Sequence, residues 1–129
     1  MEIKHNPVGW FEIPVENMER AIHFYEKVFE FKLNRQQMGP LDMAWFPTFD
    51  DQIGSSISLV KDHEFYEPSN KGTLIYFTAF SGDLANELNR VEQAGGKVMV
   101  PKTQINPDIG YMAVFIDSEG NRVALHSRK

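Results

Sequence analysis

The sequence has 129 residues, of which 13 are lysine or arginine and 18 are aspartate or glutamate, so its formal net charge is −5. Apolar residues make up 42% and charged residues 24%, which is typical of one soluble domain with a sizeable core. The absence of cysteine excludes disulfides, thiolate metal sites and a cysteine nucleophile. A sequence pI near 5.3 disfavours a nucleic-acid partner.

No membrane segment is predicted, because no apolar run approaches the roughly 20 residues that cross a bilayer. The first residues are not followed by an apolar signal core. We therefore expect a cytoplasmic protein, and we interpret its negative charge as favouring solubility more than as indicating a partner.

The first half of the chain predicts a strand, a helix and three further strands. Residues 8–14 are short and rich in aromatic residues, which favours a strand. Residues 17–29 predict a helix, because apolar side chains recur at helical spacing over this range. Asn17 can cap the start of this helix. The three further strands are predicted at residues 31–36, 43–49 and 55–61.

The second half predicts the same order of elements again, after a polar linker at residues 62–71. A strand at 73–80 precedes a helix that Asp83 can cap and that Gly95 and Gly96 can end. The remaining elements are a strand at 97–101, a polar loop at 102–110, and strands at 111–116 and 122–127 joined by a turn at 117–121.

The repeated order predicts an α+β fold of two βαβββ modules, which form a curved mixed sheet around a cleft with the helices outside. We expect one domain over residues 1–129, with the first module at about 8–61, the linker at 62–71 and the second module at about 72–127. Two such sheets placed edge to edge would enclose a cleft, and we expect the ligand site there.

Two stretches of sequence resemble a known family. The first is GWFEIPVENMERAIHFYEKVF, and the second runs from GTLIYFTAF to DSEGNRVALHS. Both are similar to motifs of the vicinal oxygen chelate superfamily, which includes glyoxalase I, bleomycin-resistance proteins and extradiol dioxygenases. The chain is most similar to the small glyoxalase-like proteins of bacteria. The resemblance implies the two-module fold, but the superfamily includes many enzymes and also binders without catalysis.

The resemblance also implies where a metal site would lie. Metal-dependent members place one ligand in each of four strands, and these positions correspond to Trp10, Ser58, one residue within 74–76, and Ala124. None of these residues is His, Glu, Gln or Asp. A divalent cation needs about three nitrogen or oxygen donors from the protein. We therefore expect no metal and no other cofactor.

Two polar residues are candidate catalytic groups. Glu12 lies between Phe11 and Ile13 in a predicted strand. If it faces the cleft, it is a general base or binds a cationic or hydroxyl group of a ligand; otherwise it is a solvent-facing or salt-bridged carboxylate. His126 shares a strand face with Ala124 and is either a cleft histidine or an exposed residue near the end of the strand.

Four residues are candidate ligand contacts: Trp10, Trp45, Ser58 and Tyr76. The three aromatic residues could form a wall for a flat or apolar molecule, or they could be ordinary core residues. Ser58 could leave room for a ligand in the cleft, or it could mark a solvent-facing position.

Two function hypotheses follow from these residues. The first is a protein that binds an unknown small molecule without a metal. The second is a glyoxalase-like lyase, isomerase or oxygenase, which would use a relocated metal or Glu12 as a base with His126 as its partner. By the same resemblance we expect a homodimer, whose modules pair either within one chain or between two chains.

Overall fold

The computed structural model describes residues 2 and 4–129, so Met1 and Ile3 of the predicted domain lie outside the described residues. The elements in chain order are β1 (Trp10–Pro14), α1 (Met18–Phe29), β2 (Asn34–Met38), β3 (Leu41–Trp45), β4 (Ser56–Lys61), β5 (Ile75–Thr78), α2 (Leu84–Ala94), β6 (Lys97–Asn106), β7 (Gly110–Ile116) and β8 (Arg122–Ser127). Neither helix in this part of the chain is long and apolar enough to cross a membrane.

The strands form two four-stranded sheets with the same topology. The first sheet has the order β1-β4-β3-β2 and the second has the order β5-β8-β7-β6. In each sheet the edge strand β1 or β5 runs parallel to its neighbour, and the other pairs are antiparallel. The predicted α+β fold with two βαβββ modules is confirmed. No strand pairing joins the two sheets within the described residues, so β1 and β5 both present an unpaired edge.

Both helices begin and end as the sequence predicts. The side chain of Asn17 accepts a hydrogen bond from the backbone N–H of Arg20 at 3.0 Å, which satisfies one free donor at the start of α1. Asp83 accepts from the backbone N–H of Ala85 at 2.9 Å in the same way. Gly95 ends α2 with a φ of 109°, a left-handed conformation that glycine adopts without a steric penalty.

Aromatic side chains join the two modules into one core. The ring centroid of Phe77 in β5 lies 4.8 Å from that of Phe29, 5.9 Å from that of Tyr25 and 5.4 Å from that of Phe46. Helix α1 packs against α2 beside this cluster. Because Phe77 belongs to the second module and the other three rings to the first, this buried apolar contact holds the modules together.

The turn between β7 and β8, residues 117–121, adds a polar contact between the modules. Asp117 accepts a hydrogen bond from the Tyr25 hydroxyl at 2.6 Å, and Glu119 accepts from Arg20 Nε at 2.7 Å. The side-chain amide of Asn121 donates to the Pro14 carbonyl at 2.8 Å. This turn was predicted only to connect two strands, and its acidic side chains bind the first module instead of facing solvent.

The prediction of a polar loop at 102–110 is wrong, because β6 continues as far as Asn106. Polar side chains over this stretch do not rule out a strand, since β6 lies at the sheet edge and most of its residues are exposed. The pairing with β7 shifts register at three points, and Pro101 falls within one of these irregular stretches. Edge strands and bulges tolerate proline because its missing N–H need not join the ladder.

Two strands of the first sheet lie away from their predicted bounds. The strand expected at 31–36 is β2 at Asn34–Met38, and the one expected at 43–49 is β3 at Leu41–Trp45. Phe31 produced the apolar signal before β2, but its ring stacks on Phe29 at a centroid distance of 5.5 Å. Pro47, which has no N–H to donate, follows soon after the end of β3.

Candidate functional site

Four of the predicted site residues lie together on the side of the first sheet that faces away from α1. Side chains along a strand alternate between the two faces, and buried Ile13 and Leu59 occupy the α1 side. Trp10 and Glu12 of β1 therefore point away from the helix, as do Trp45 of β3 and Ser58 of β4. Glu12 and Trp45 both pair with Ser58 in the ladder. We call this surface, defined by Trp10, Glu12, Trp45 and Ser58, the tryptophan face.

The two tryptophan rings are in contact, and one of them is open to solvent. Their centroids lie 6.4 Å apart and their planes are tilted by 59°, so the rings form a wedge. Trp10 is 58% exposed and Trp45 is half-buried. Because large aromatic side chains usually bury most of their surface, an exposed tryptophan beside a second one indicates a surface available for binding.

Glu12 is held by a residue that the sequence analysis placed in a linker. The Tyr66 hydroxyl donates to Glu12 Oε1 at 2.6 Å, and Trp10 Nε1 lies 3.4 Å from Glu12 Oε2. This hydrogen bond to Glu12, followed by burial, raises the pKa of the Tyr66 phenol. Residues 62–71 thus contribute to the site as well as connecting the modules. Two adjacent aromatic residues, Phe65 and Tyr66, inside a mostly polar segment were the sequence signal for this role.

Ser58 has a buried hydroxyl without a partner. The residue is fully buried, and its Oγ accepts or donates no hydrogen bond within the described part of the chain. A buried polar group without a partner costs about 1–3 kcal/mol, so such groups are uncommon and often lie at functional positions. Ser58 pairs with Glu12 on one neighbouring strand and with Trp45 on the other. Its hydroxyl therefore lies at the centre of the tryptophan face.

The other two predicted residues share one face of the second sheet. Tyr76 pairs with Ala124 in the ladder, and Thr78 pairs with His126, so all four side chains point to the same side. Tyr76 is 50% exposed. His126 Nε2 lies 2.6 Å from the Ile109 carbonyl, which accepts a hydrogen bond when this nitrogen carries the proton.

The structure therefore groups the predicted site residues into two sets. Trp10, Glu12, Trp45 and Ser58 lie on the first sheet, whereas Tyr76 and His126 lie on the second. Among the residues that the structure describes, no hydrogen bond or ion pair joins Glu12 to His126. The expected acid–base pair of Glu12 and His126 is not in contact within one chain, and its catalytic role stays a prediction.

Two cavities lie where the modules meet. One, of about 480 Å³, is lined by the loop at 46–55 and by side chains that include Phe11, Phe77 and Tyr76. Another, of about 400 Å³, is lined by residues that include Glu12 and Arg122. Both volumes lie in the range of small-molecule sites. Of the residues predicted for the site, Tyr76 lines the first cavity and Glu12 lines the second. Neither cavity is lined by a tryptophan.

The residues at the family's metal-ligand positions do not fit a metal ion. Trp10 lies two residues before Glu12, the ladder partner of Ser58, and the same offset from Tyr76, the partner of Ala124, selects Leu74 from the window 74–76, so the four positions are Trp10, Ser58, Leu74 and Ala124. They offer an indole that only donates, a buried hydroxyl, an aliphatic side chain and a methyl group. Protein sites for divalent cations use imidazole, thiolate and carboxylate donors. Over residues 2 and 4–129, no three His, Asp or Glu side chains form a group suited to a metal.

Comparison with known proteins agrees with this fold. Residues 8–125 match the Glyoxalase/Bleomycin resistance protein/Dioxygenase superfamily, and the chain belongs to this superfamily. A glyoxylase-like domain-containing protein from Didymella fabae is 27% identical over 128 residues, which cover 98% of this chain and 97% of that protein. The narrower resemblance to small bacterial members stays a prediction.

Two solved structures show how widely the fold is shared. Glyoxalase I from Zea mays superposes with a TM-score of 0.68 at 20% identity, over 95% of this chain. The match covers 46% of the maize protein, so this chain spans about half of that protein's length. TnmS3, an antibiotic binding protein from Streptomyces sp. CB03234, has a TM-score of 0.68 at 24% identity over 100% of this chain and 99% of that one. At these identities the likeness establishes the fold alone.

Proposed function

We propose that this protein binds a small molecule with a flat aromatic body on the tryptophan face, without a metal ion. The observation that carries the proposal is the wedge of Trp10 and Trp45, which are the only two tryptophans in the sequence. Offset or tilted aromatic rings attract further rings beyond the area that they bury. TnmS3, a protein of the same fold, is described as an antibiotic binding protein, which supports a binding role.

The alternative of a glyoxalase-like enzyme has less support from the contacts of Glu12. A general base must have an oxygen free to accept the substrate's proton. Oε1 of Glu12 already accepts the short hydrogen bond from Tyr66, and Oε2 lies beside the Trp10 indole nitrogen. These contacts suit a carboxylate that orients or attracts a ligand better than one that removes a proton.

We also propose that the protein is a homodimer in which β1 of one chain lies beside β5 of the other. Both strands have unpaired edges, and exposed edges favour pairing between chains. This arrangement would bring the Tyr76 and His126 face of the partner towards the tryptophan face. Light scattering should then give a mass of about 30 kDa, twice the chain mass of 14.8 kDa. A monomer mass at working concentration would contradict the dimer.

Substitution of Trp10 by alanine is expected to weaken binding of 1-naphthalenemethanol, a neutral aromatic probe, by about tenfold. The loss of one aromatic contact of about 0.5–1.5 kcal/mol, together with its buried area, accounts for this magnitude. Isothermal titration calorimetry measures the affinity. The matched control is Phe49→Ala, which removes an exposed ring from the 480 Å³ cavity instead. If Phe49→Ala weakens binding and Trp10→Ala does not, the ligand occupies that cavity and the proposal fails.

A further inference from the structure

The tryptophan face holds a carboxylate that lacks a positive partner. Glu12 is half-buried, yet none of the ion pairs formed by the described residues includes it. Arg122 lines the same 400 Å³ cavity as Glu12 without forming an ion pair with it, and Glu67 adds a second acid there. The two groups that donate hydrogen bonds to Glu12, the Tyr66 phenol and the Trp10 indole, are neutral. Partly desolvated carboxylates are stabilised most strongly by a nearby cation, and residues 2 and 4–129 form no ion pair with Glu12.

The side chains around Glu12 are suited to a positively charged nitrogen. A cation within about 6 Å of a tryptophan ring face is attracted by the ring's electrons. The Trp10 ring lies beside the carboxylate, and the Trp45 ring, 6.4 Å from that of Trp10, adds a second aromatic face on the same side of the sheet.

We propose that the ligand of the tryptophan face is an organic cation, in which a protonated amine lies against Glu12, Trp10 and Trp45 and an attached aromatic ring extends along the same surface. This inference rests on the proposed function, because it specifies the charge of the molecule bound at that site. A neutral aromatic ligand would use the two tryptophans but would leave Glu12 without a counter-ion.

Two probes of nearly the same shape test the charge. They are 1-naphthylmethylammonium, which is protonated at pH 7, and the neutral 1-naphthalenemethanol. The wild-type protein is expected to bind the ammonium probe at least tenfold more tightly by calorimetry. Glu12→Gln should reduce this preference to less than threefold, because the ammonium probe loses its counter-ion. Glutamine keeps the shape of the side chain and removes only its charge, and the unfolding midpoint confirms that the variant is folded.

Two further variants separate a local effect from a general one. Glu92→Gln on the exposed side of α2 changes the net charge by the same amount, so it should keep the tenfold preference. Asp51→Asn, in the exposed loop at 46–55, also changes the net charge by the same amount, so it should keep the preference as well. A preference that survives in Glu12→Gln, or that disappears in Glu92→Gln, overturns the inference.

The same titrations distinguish failure of this inference from failure of the proposed function. If the alcohol binds and the ammonium probe binds no better, the site takes neutral aromatic molecules and only the charge assignment is wrong. If neither probe binds, both proposals fail.

Discussion

Replacement of Asp117 by alanine should destabilise the folded protein by about 3 kcal/mol or more. Asp117 is 3% exposed, and its two carboxylate oxygens accept four hydrogen bonds. Alanine leaves the Tyr25 hydroxyl and the buried backbone N–H groups of Glu119 and Asn121 without partners. Each buried donor without a partner costs about 1–3 kcal/mol, and relief of the buried charge offsets part of the sum.

Urea unfolding of three variants measures this effect. Asp117→Asn should cost less than Asp117→Ala, because an amide oxygen can still accept from the backbone of the turn but its nitrogen cannot accept from Tyr25. Asp51→Ala, an exposed aspartate in the loop at 46–55, serves as the control and should change the unfolding free energy by less than about 0.5 kcal/mol. A loss below about 1 kcal/mol in Asp117→Ala would show that this contact between the modules contributes little.

Glu119→Gln should destabilise the protein by about 2 kcal/mol at neutral pH and by less in acid. The carboxylate accepts from the backbone N–H groups of Glu16 and Asn17 at 2.9 Å and forms an ion pair with Arg20. Hydrogen bonds to a charged group contribute about 1.5–3 kcal/mol, and a neutral amide retains only part of them. The carboxylate also lies at the start of α1, where the helix dipole favours negative charge.

The pKa of Glu119 determines the direction of the pH dependence. Burial alone would raise this pKa, but hydrogen bonds from Arg20, Asn17, Ser118 and Glu16 outweigh burial, so the pKa lies below its ordinary value of 4.5. The carboxylate therefore contributes full stability above that value and loses it as the pH falls through the lower folded-state pKa. The difference in unfolding free energy between wild type and Glu119→Gln should shrink in acid. A constant difference down to about pH 3 would contradict this linkage.

The contribution of Asp117 to stability changes with pH in the opposite direction to that of Glu119. This holds in the wild-type protein and in Glu119→Gln. Burial raises its pKa and outweighs the hydrogen bonds from Tyr25 and Asn121. The ionised form is therefore penalised in the folded state, and this penalty is relieved as the pH falls through the raised value. Because wild type and Glu119→Gln share this aspartate, its contribution largely cancels in their difference. Glu92→Gln, measured over the same pH range, controls for the change in net charge.

Local signals in the sequence were enough to predict the elements that have strong periodicity or caps. The helix from Met18 to Phe29 follows from its apolar spacing, and Asn17 and Asp83 act as caps because their side chains can reach the first free N–H groups. The order of elements along each module followed from the repeat. The polar edge strands β2 and β6 could not be placed correctly, because exposed strands carry little hydrophobic pattern.

The site could be predicted only as far as strand alternation and family resemblance allow. These two arguments suggested Trp10, Glu12 and Ser58, and the structure places all three on one face. The contact between Tyr66 and Glu12 could not be predicted, because it joins residues 54 positions apart through an irregular segment. The roles of Asp117 and Glu119 were missed for a similar reason: their partners lie in the first module and depend on how the modules pack.

The most direct test of metal-independent binding is a titration of chelator-treated protein with 1-naphthalenemethanol, followed by the indole N–H signals in NMR spectra. The chain has two tryptophans, so these signals report on Trp10 and Trp45 alone. We predict that both signals shift with one saturation curve, and that added zinc or nickel changes the affinity by less than twofold. Shifts that occur only after a metal is added, or a probe that leaves both indole signals unchanged while binding elsewhere, would contradict the account.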